Sequence, residues 1–564
     1  MNKKIFIYQI LLRLFGNQNI TNKPNGTMEE NGSGKFDDIS EKVLKTLAKN
    51  GYTHIWLIGV LAHASTTEYM QYGIPKEFPE IIKGKAGSPY AIRDYYDVDP
   101  DLAVNVQNRM QEFEELVGRI HKNGLKVIID FVPNHLARNY KSVNKPMGVK
   151  DFGENDDTAQ AFSPYNNFYY LPGQELELQF SNKKLSQVTY SENPAKATGN
   201  DCFTNKPTQY DWYETVKLNY GVDYQRGYER HFHEIPDTWK KMKDILLFWA
   251  NKQVDGFRCD MVEMVPVEFW RWAVPQVKAK YPEILFIAEI YNPNEYRNFL
   301  AEKSFDYLYD KVGVYDVLRD VACGYRPSSD LTFALNAVGD IQPKMLNFVE
   351  NHDEQRIASD YFLKSGEKAK ASMIFSTCLN TNPVMVYFGQ EFGEPGMDEE
   401  GFSGKNGRTS IFDYWSVDTI RRWKNKGKWN DKLLTEQEIE LRDFYAKLLN
   451  TCNKERAITH GKFYDLMPAN YENAGFNSMR QFAYLRSDSK DVLLVLVNFE
   501  CYETEVTVYI PEDAFNSFGV SVTDNCVAFP LLSRTKDKIN FSHYQPFKTK
   551  LPANSGDIFK ISCL

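Results

Sequence analysis

Two short runs end on carboxylates fewer than thirty positions apart: Gly256-Phe-Arg-Cys-Asp260 and Ile284-Leu-Phe-Ile-Ala-Glu289. Each is an apolar, β-favouring stretch that stops on an acid. As consecutive parallel strands they would run about 4.8 Å apart. Carboxyl groups about 5–5.5 Å apart suit a double displacement at a glycosidic carbon, one acid attacking and the other donating a proton. A single displacement needs a wider gap, to fit a water beside the sugar. The pair therefore implies cutting or transfer of glycosidic bonds with retention.

Two further acidic ends join them, Asp130-Phe-Val-Pro-Asn134-His135 and Glu350-Asn-His352-Asp353. Arg258 stands two positions before Asp260, so on a strand both project to one side. A guanidinium beside a carboxyl favours the charged form, which makes Asp260 the nucleophile. Glu289 ends an almost wholly apolar run, where desolvation should keep its proton on and make it the general acid, later the base. His135 and His352 could donate hydrogen bonds to sugar hydroxyls, and Asp353 could bind two hydroxyls of the reacting ring.

Something must bring four strand ends to one cavity. The first three hundred residues alternate strand-like and helix-like patterns, with strands expected at Ile5–Leu12, Thr53–Ile58 and Lys126–Asp130. Helical spacing follows at Phe36, Ile39, Val43 and Leu47, then at Met110, Phe113, Val117 and Ile120. Asn50-Gly51 and Asn123-Gly124 stop those helices. Further strands are expected at Gly256–Cys259, Leu285–Ala288, Phe305–Tyr309, Met345–Val349 and Val384–Phe388. Eight parallel strands with helices between them specify an α/β fold, a (β/α)8 TIM barrel, whose site lies at the C-terminal strand ends.

The alternation breaks for about a hundred residues after His135, far beyond a normal connection. This divides the chain into a barrel (1–135 and 236–454), an inserted irregular domain (136–235) and a C-terminal antiparallel β-sandwich (455–564). A length of 564 residues agrees with several domains.

The net charge of −8 gives no hint of nucleic-acid binding. Aromatics reach 14%, enough for some to cover the apolar faces of sugars as well as fill a core. Eight cysteines show no paired spacing, which argues against a disulfide framework or a zinc site. Gln9 and Arg13 interrupt the apolar N-terminal run, so it reads as a first strand rather than a secretory signal. No stretch approaches a membrane span. A cytoplasmic protein is expected, with no nucleic-acid or membrane partner and an oligomeric state left open. His231 and His233 read as a solvated loop.

The segments Asp130–His135, Gly256–Asp260, Ala288-Glu289 and Asn351–Asp353 resemble, in order, the four signature regions of the α-amylase family of glycoside hydrolases. The resemblance covers about residues 1–450 and extends to Tyr8-Gln9 and Ser88-Pro-Tyr90. It implies a retaining enzyme on α-1,4-linked glucans or malto-oligosaccharides, with Asp260 as nucleophile, Glu289 as acid/base and Asp353 as transition-state stabiliser. It also implies that Arg258, His135 and His352 hold the reacting glucose and that Tyr90 stacks on it. An α-glucanotransferase is the near alternative; a non-catalytic carbohydrate-binding relative would have lost one of the three acids.

Two departures stand out. Glu263 and Met264 replace the Lys-His pair that typical members carry on the leaving-group side, so an altered acceptor site is expected there. The resemblance also implies a structural calcium through Asn134 and a second acid. In Val216-Lys217-Leu218-Asn219 a lysine stands where that acid is wanted, which argues against the ion. No cofactor is needed for the chemistry itself.

Overall fold

The computed structural model describes residues 4–178, 189–396, 401–520, 526–533, 538–541 and 545–563. Eight parallel strands run through it in chain order: β1 (Phe6–Leu11), β2 (His54–Ile58), β3 (Lys126–Phe131), β4 (Gly256–Cys259), β5 (Leu285–Ala288), β6 (Tyr307–Tyr309), β7 (Met345–Leu346) and β8 (Val384–Tyr387). Each pairs with its neighbours in sequence, and β1 also pairs with β8. A parallel bridge between Asn347 and Val384 joins β8 to the end of β7. The bonds Asn347 N to Pro383 O (3.0 Å) and Met385 N to Asn347 O (2.9 Å) close the barrel there. All eight strands fall where the apolar runs predict them.

The strands are apolar because both faces are covered. Every residue of β1, β2, β4 and β8 is buried. Helices α1 (Glu41–Lys49), α2 (Arg109–Lys122), α3 (Asp237–Asn251) and α4 (Val267–Lys280) cover the outside. In α2, Phe113, Leu116, Val117 and Ile120 form the buried stripe, and Phe113 packs edge-on against Trp249 of α3. Burying side chains of this size stabilises the fold by about 1.5–3 kcal/mol each.

The first helix is shorter than its spacing suggests. Phe36 and Ile39 are buried, yet residues 36–38 form a 3₁₀ turn and Ser40 is extended, so α1 starts only at Glu41. Helical spacing of apolar residues survives a short break, because a 3₁₀ turn also places the i and i+3 residues on one side. Gly51 ends the connection at φ 102°, a value an L side chain resists.

The connection after β2 is a long antiparallel hairpin, Leu61–His63 with Ile92–Val98, where the sequence showed only a loop. The insertion after β3 holds two- and three-residue strand pairs. Its longest pair, His135–Ala137 with Thr215–Lys217, ties it to the barrel rim. The C-terminal part is antiparallel: a six-stranded sheet from Lys462–Asp465 to Ser555–Cys563 and a two-stranded one, Thr504–Val508 with Phe547–Leu551. One cysteine there, Cys526, is disulfide-bonded, which the scattered spacing did not foretell. Cys202, Cys259, Cys323, Cys378, Cys452 and Cys501 are free. Among the described residues, no helix is long and apolar enough to cross a membrane.

His54 opens β2 with its ring buried, and burial followed by the charge of Lys126 pushes its imidazole down to about 3. The folded state refuses a proton that the unfolded state accepts near pH 6.5. This contribution to stability is therefore full above about pH 6.5 and is lost as pH falls towards the folded value. His54→Gln removes the titration. The stability of the wild type relative to this variant should fall by about 1.4 kcal/mol per pH unit between about pH 6 and 4. Urea-unfolding midpoints of the two proteins across that range check it; a constant difference would refute it.

Candidate active site

The register of β4 and β5 sets the site. Cys259 pairs with Ala288, so the next residue on each strand, Asp260 and Glu289, comes out side by side. Backbone bonds hold both: Asp260 N to Phe131 O (2.9 Å) and Glu289 N to Cys259 O (3.0 Å). Arg258 lies beneath them, fully buried. Its Nη1 donates to Asp260 Oδ1 at 2.6 Å and to Asp130 Oδ1 at 3.4 Å, and its Nη2 lies 2.7 Å from Glu289 Oε1. Nε donates to Tyr309 Oη (3.3 Å), and the rings of Trp56, Tyr90 and Tyr309 surround the guanidinium at 5.4–5.5 Å.

Glu289 is not the bare carboxyl its apolar strand suggests. Met261 N donates to Oε2 at 2.8 Å and Tyr291 Oη donates to Oε1 at 2.7 Å, besides the contact with Arg258. Met261 can reach it because its backbone is left-handed (φ 44°), an uncommon state for a side-chain-bearing residue. Asp260 also departs from expectation. Burial, then the charge of Glu289, pushes its carboxyl well above the usual carboxylate range, and Arg258 only partly opposes this. Asp130 is likewise raised by burial, to about 6, against the pull of Arg258.

Asp353 goes the other way. Burial raises it, but His352, Arg258 and Arg408 outweigh burial and bring the carboxyl to about 2. His352 Nε2 is 3.0 Å from Asp353 Oδ2 and 2.6 Å from Tyr90 Oη, and the Tyr90 ring stacks on the imidazole at 5.5 Å. Gln9 Nε2 lies 3.0 Å from His352 Nδ1. His135 is buried; burial, then Lys217 and Lys83, lowers it to about 3, so it is neutral near pH 7.

These groups face a cavity of about 330 Å³ lined by Tyr90, His135, Asp260, Glu289 and Asp353. A larger hollow of about 1130 Å³ around Lys42, Trp423 and Arg442 lies away from the strand ends and gathers no such set. Arg258 and His352 support the lining from below. Tyr291 and Met261 line the cavity and were missed, as were Trp212, Lys83 and Glu214 from the long connections. Tyr291 alone had a signal, standing two residues beyond Glu289.

Glu263 does not line this cavity. Its carboxylate accepts from the N–H groups of Tyr291 (3.4 Å) and Asn292 (3.1 Å), fixing the loop that carries Tyr291 to Glu289. Asn134 also points elsewhere. Its Nδ2 donates to Gly199 O (2.7 Å), and its Oδ1 accepts from Lys217 Nζ (2.6 Å). The same ammonium lies 2.6 Å from Asp201 Oδ1, 3.1 Å from Met264 O and 5.0 Å from the Tyr224 ring centre. The side chain of Lys217 is buried. This donor set does not fit a calcium ion: its oxygens already surround a fixed positive charge, and a divalent cation would meet that charge at close range.

Residues 9–435 match the family described as α-amylase, catalytic domain. The chain is 25% identical over 403 residues to α-amylase 3 of Dictyoglomus thermophilum, an alignment spanning 66% of this chain and 68% of that one. It is 23% identical over 506 residues to α-amylase MalA of Haloarcula japonica, covering 89% of this chain but only 56% of that relative's length. Among solved structures, the maltogenic α-amylase AmyB of Thermotoga neapolitana superposes with a TM-score of 0.62 at 20% identity, covering 100% of this chain and 99% of that one. That likeness speaks for the fold. With more than half its length matched by the family and its strand ends gathered around Arg258, this chain belongs to the α-amylase family.

Proposed function

We propose that the protein is a retaining glycoside hydrolase acting on α-1,4-linked glucans or malto-oligosaccharides. The observation that carries this reading is the single buried guanidinium that holds Asp260 and Glu289 on neighbouring strands. Carboxyl groups on adjacent parallel strands that share one guanidinium fit the narrow gap of a double displacement, in which the attacking group is a carboxylate.

In this reading Asp260 attacks the anomeric carbon while Glu289 gives its proton to the departing glycosidic oxygen. The sugar–oxygen bond breaks as the ester to Asp260 forms. Glu289, now charged, takes a proton from water, whose oxygen displaces Asp260 and restores both acids. Asp353, held charged by His352, binds hydroxyls of the reacting ring and balances positive charge at the anomeric carbon. Tyr90 and His135 complete the walls around that ring. An acceptor sugar in place of water would make the same intermediate a transfer step.

No cofactor takes part in this scheme, and we infer that Lys217 does the bridging work of a structural cation. We place the protein in the cytoplasm, a reading supported by six free cysteines among the described residues. Two of these, Cys378 and Cys452, are hydrogen-bonded sulfur to sulfur at 3.6 Å with no disulfide between them. The disulfide at Cys526 is the observation that weighs against it.

Incubation with maltoheptaose should give shorter products only; longer products as well would mean transfer, and an unchanged substrate would count against both. Asp260→Asn should remain folded and lower this activity roughly 10³-fold or more, because it removes the covalent path. Near-normal activity in a folded variant would sink the assignment.

Glu289→Gln should slow substrates with poor leaving groups most, since those need the proton. In single-turnover measurements an activated aryl glycoside should lose less than an oligosaccharide. Equal losses would remove Glu289 from the acid's role.

Chelation should leave the melting temperature of the wild type unmoved. Lys217→Met should lower stability by about 2 kcal/mol, since Asn134, Asp201 and Met264 O lose their shared donor. A wild-type melting temperature that falls in EDTA and recovers with calcium would overturn the bridging role.

A further inference from the structure

Where the barrel closes on itself, two thiols and two cations meet. Cys378 ends helix α5 (Ala369–Cys378), which leads into β8, and Cys452 lies in α6 (Glu436–Lys454), which packs against α5. Their sulfurs are 3.6 Å apart, and both residues are fully buried. Lys4, two residues before β1, donates from Nζ to Thr377 O at 2.8 Å, to Asn380 O, and to Asn382 Oδ1 at 3.4 Å. Asn382 Nδ2 donates in turn to Met345 O of β7 at 2.8 Å. Arg486, in the strand Gln481–Ser487, donates to Leu379 O at 3.0 Å and to the carbonyls of Ala457, Ile458 and Gly461. The group thus joins β1, β7 and β8 to the C-terminal sheet.

The charges in this group are unbalanced. Among the described residues, Lys4 and Arg486 bond only to carbonyl and amide oxygens and face no carboxylate. Burial pulls the ammonium of Lys4 down to about 7, with Cys452 opposing it. It pulls the guanidinium of Arg486 down to about 10, opposed by Tyr484 and then by both cysteines. Lys4 also satisfies carbonyls at the end of α5, but an uncharged donor would do that without the cost of burying a charge. A cation beside a thiol favours the thiolate, the form that attacks a disulfide. Burial, then the hydrogen bond to Cys452, nevertheless pushes the Cys378 thiol up, with Lys4 and Arg486 pulling the other way. The closed fold therefore keeps the pair as thiols. When α6 is undocked and water enters, burial no longer opposes the two cations.

We propose that Cys378 and Cys452 form a thiol–disulfide lock, closed by glutathione disulfide or a similar small disulfide while α6 is undocked and sealed when it docks. One cysteine thiolate attacks a sulfur of glutathione disulfide and expels a glutathione thiolate. The second attacks the mixed disulfide and expels the other. The two thiol protons pass to the two glutathione thiolates, so the protein is oxidised by two electrons and one glutathione disulfide leaves as two thiols. Within the protein, a sulfur contact of 3.6 Å becomes a bond of about 2.0 Å. The residues joined are 74 positions apart, and a cross-link over a loop of that length strongly restricts the unfolded chain. It ties α6 to the segment that feeds β8, so the closing strand is held in the barrel. The lock does not depend on the substrate.

The test refolds the reduced whole chain either with reduced glutathione and glutathione disulfide or with dithiothreitol. A peptide map made without reduction should show Cys378 joined to Cys452 in the first sample alone. That sample should melt about 5 °C above Cys452→Ala folded in the same buffer, a variant that keeps the disulfide of Cys526. In dithiothreitol the gap should shrink to about 2 °C or less. Cys378→Ala should behave as Cys452→Ala does. The map needs no variant, so it carries the test if the alanine proteins do not fold. If the wild type does not refold, protein isolated already folded from a host with an oxidising cytoplasm is mapped against protein from an ordinary one. Both cysteines found as free thiols when the oxidised native sample is unfolded and alkylated would overturn the proposal. So would a bond from either one to another cysteine, or a melting gap that dithiothreitol leaves unchanged.

Discussion

The site is organised around one buried positive charge. Arg258 contacts Asp130, Asp260 and Glu289, with three aromatic rings closing off the rest of its surface. Three carboxyls against one guanidinium leaves a surplus of negative charge in a place where water cannot screen it. Burial foremost, and at Asp260 next the charge of Glu289, pushes Asp130 and Asp260 up, so the cluster favours keeping a proton, which must sit on Glu289 when Asp260 attacks. A cluster that must hold a proton, and can pass it between neighbours, is what acid and base steps on one substrate require. Asp353 escapes this pressure because His352, Arg258 and Arg408 together outweigh its burial.

A second buried charge organises the rim. Lys217 joins the inserted segment, through Asp201, to Asn134 after β3 and to the backbone of Met264 after β4. An ammonium is smaller in charge than a divalent ion and is covalently part of the chain. It bridges the insertion and the barrel from within the chain itself. Glu263 works on the same side by capping the loop of Tyr291, so Lys217 and Glu263, two of the three residues that break the family pattern, both hold the rim in place.

The eight strands were legible because a barrel strand covered on both faces must be apolar over most of its length, and such runs are bounded by polar turns. The acids at their ends were legible for the same reason: a carboxylate terminating an apolar run has few innocent explanations. Phe36 misled because a 3₁₀ turn satisfies the same spacing as a helix start. At Glu289 the apolar neighbours in sequence foretell burial but not its donors Met261 and Tyr291, which depend on a left-handed turn and a capped loop. Glu263 misled because its position after β4 says nothing of the amides of Tyr291 and Asn292 beyond β5.

By itself the sequence determined the barrel, the order of its strands and the acids that crown them, since local periodicity and strand register carry that information. Only the tertiary structure decided which charges meet. Lys83 and Glu214, 131 positions apart in the chain, share a wall, and Lys217 sits among oxygens from three separate segments. Long connections have no period to read, and the Coulomb and desolvation energies that set their side chains depend on distances that only the closed barrel defines.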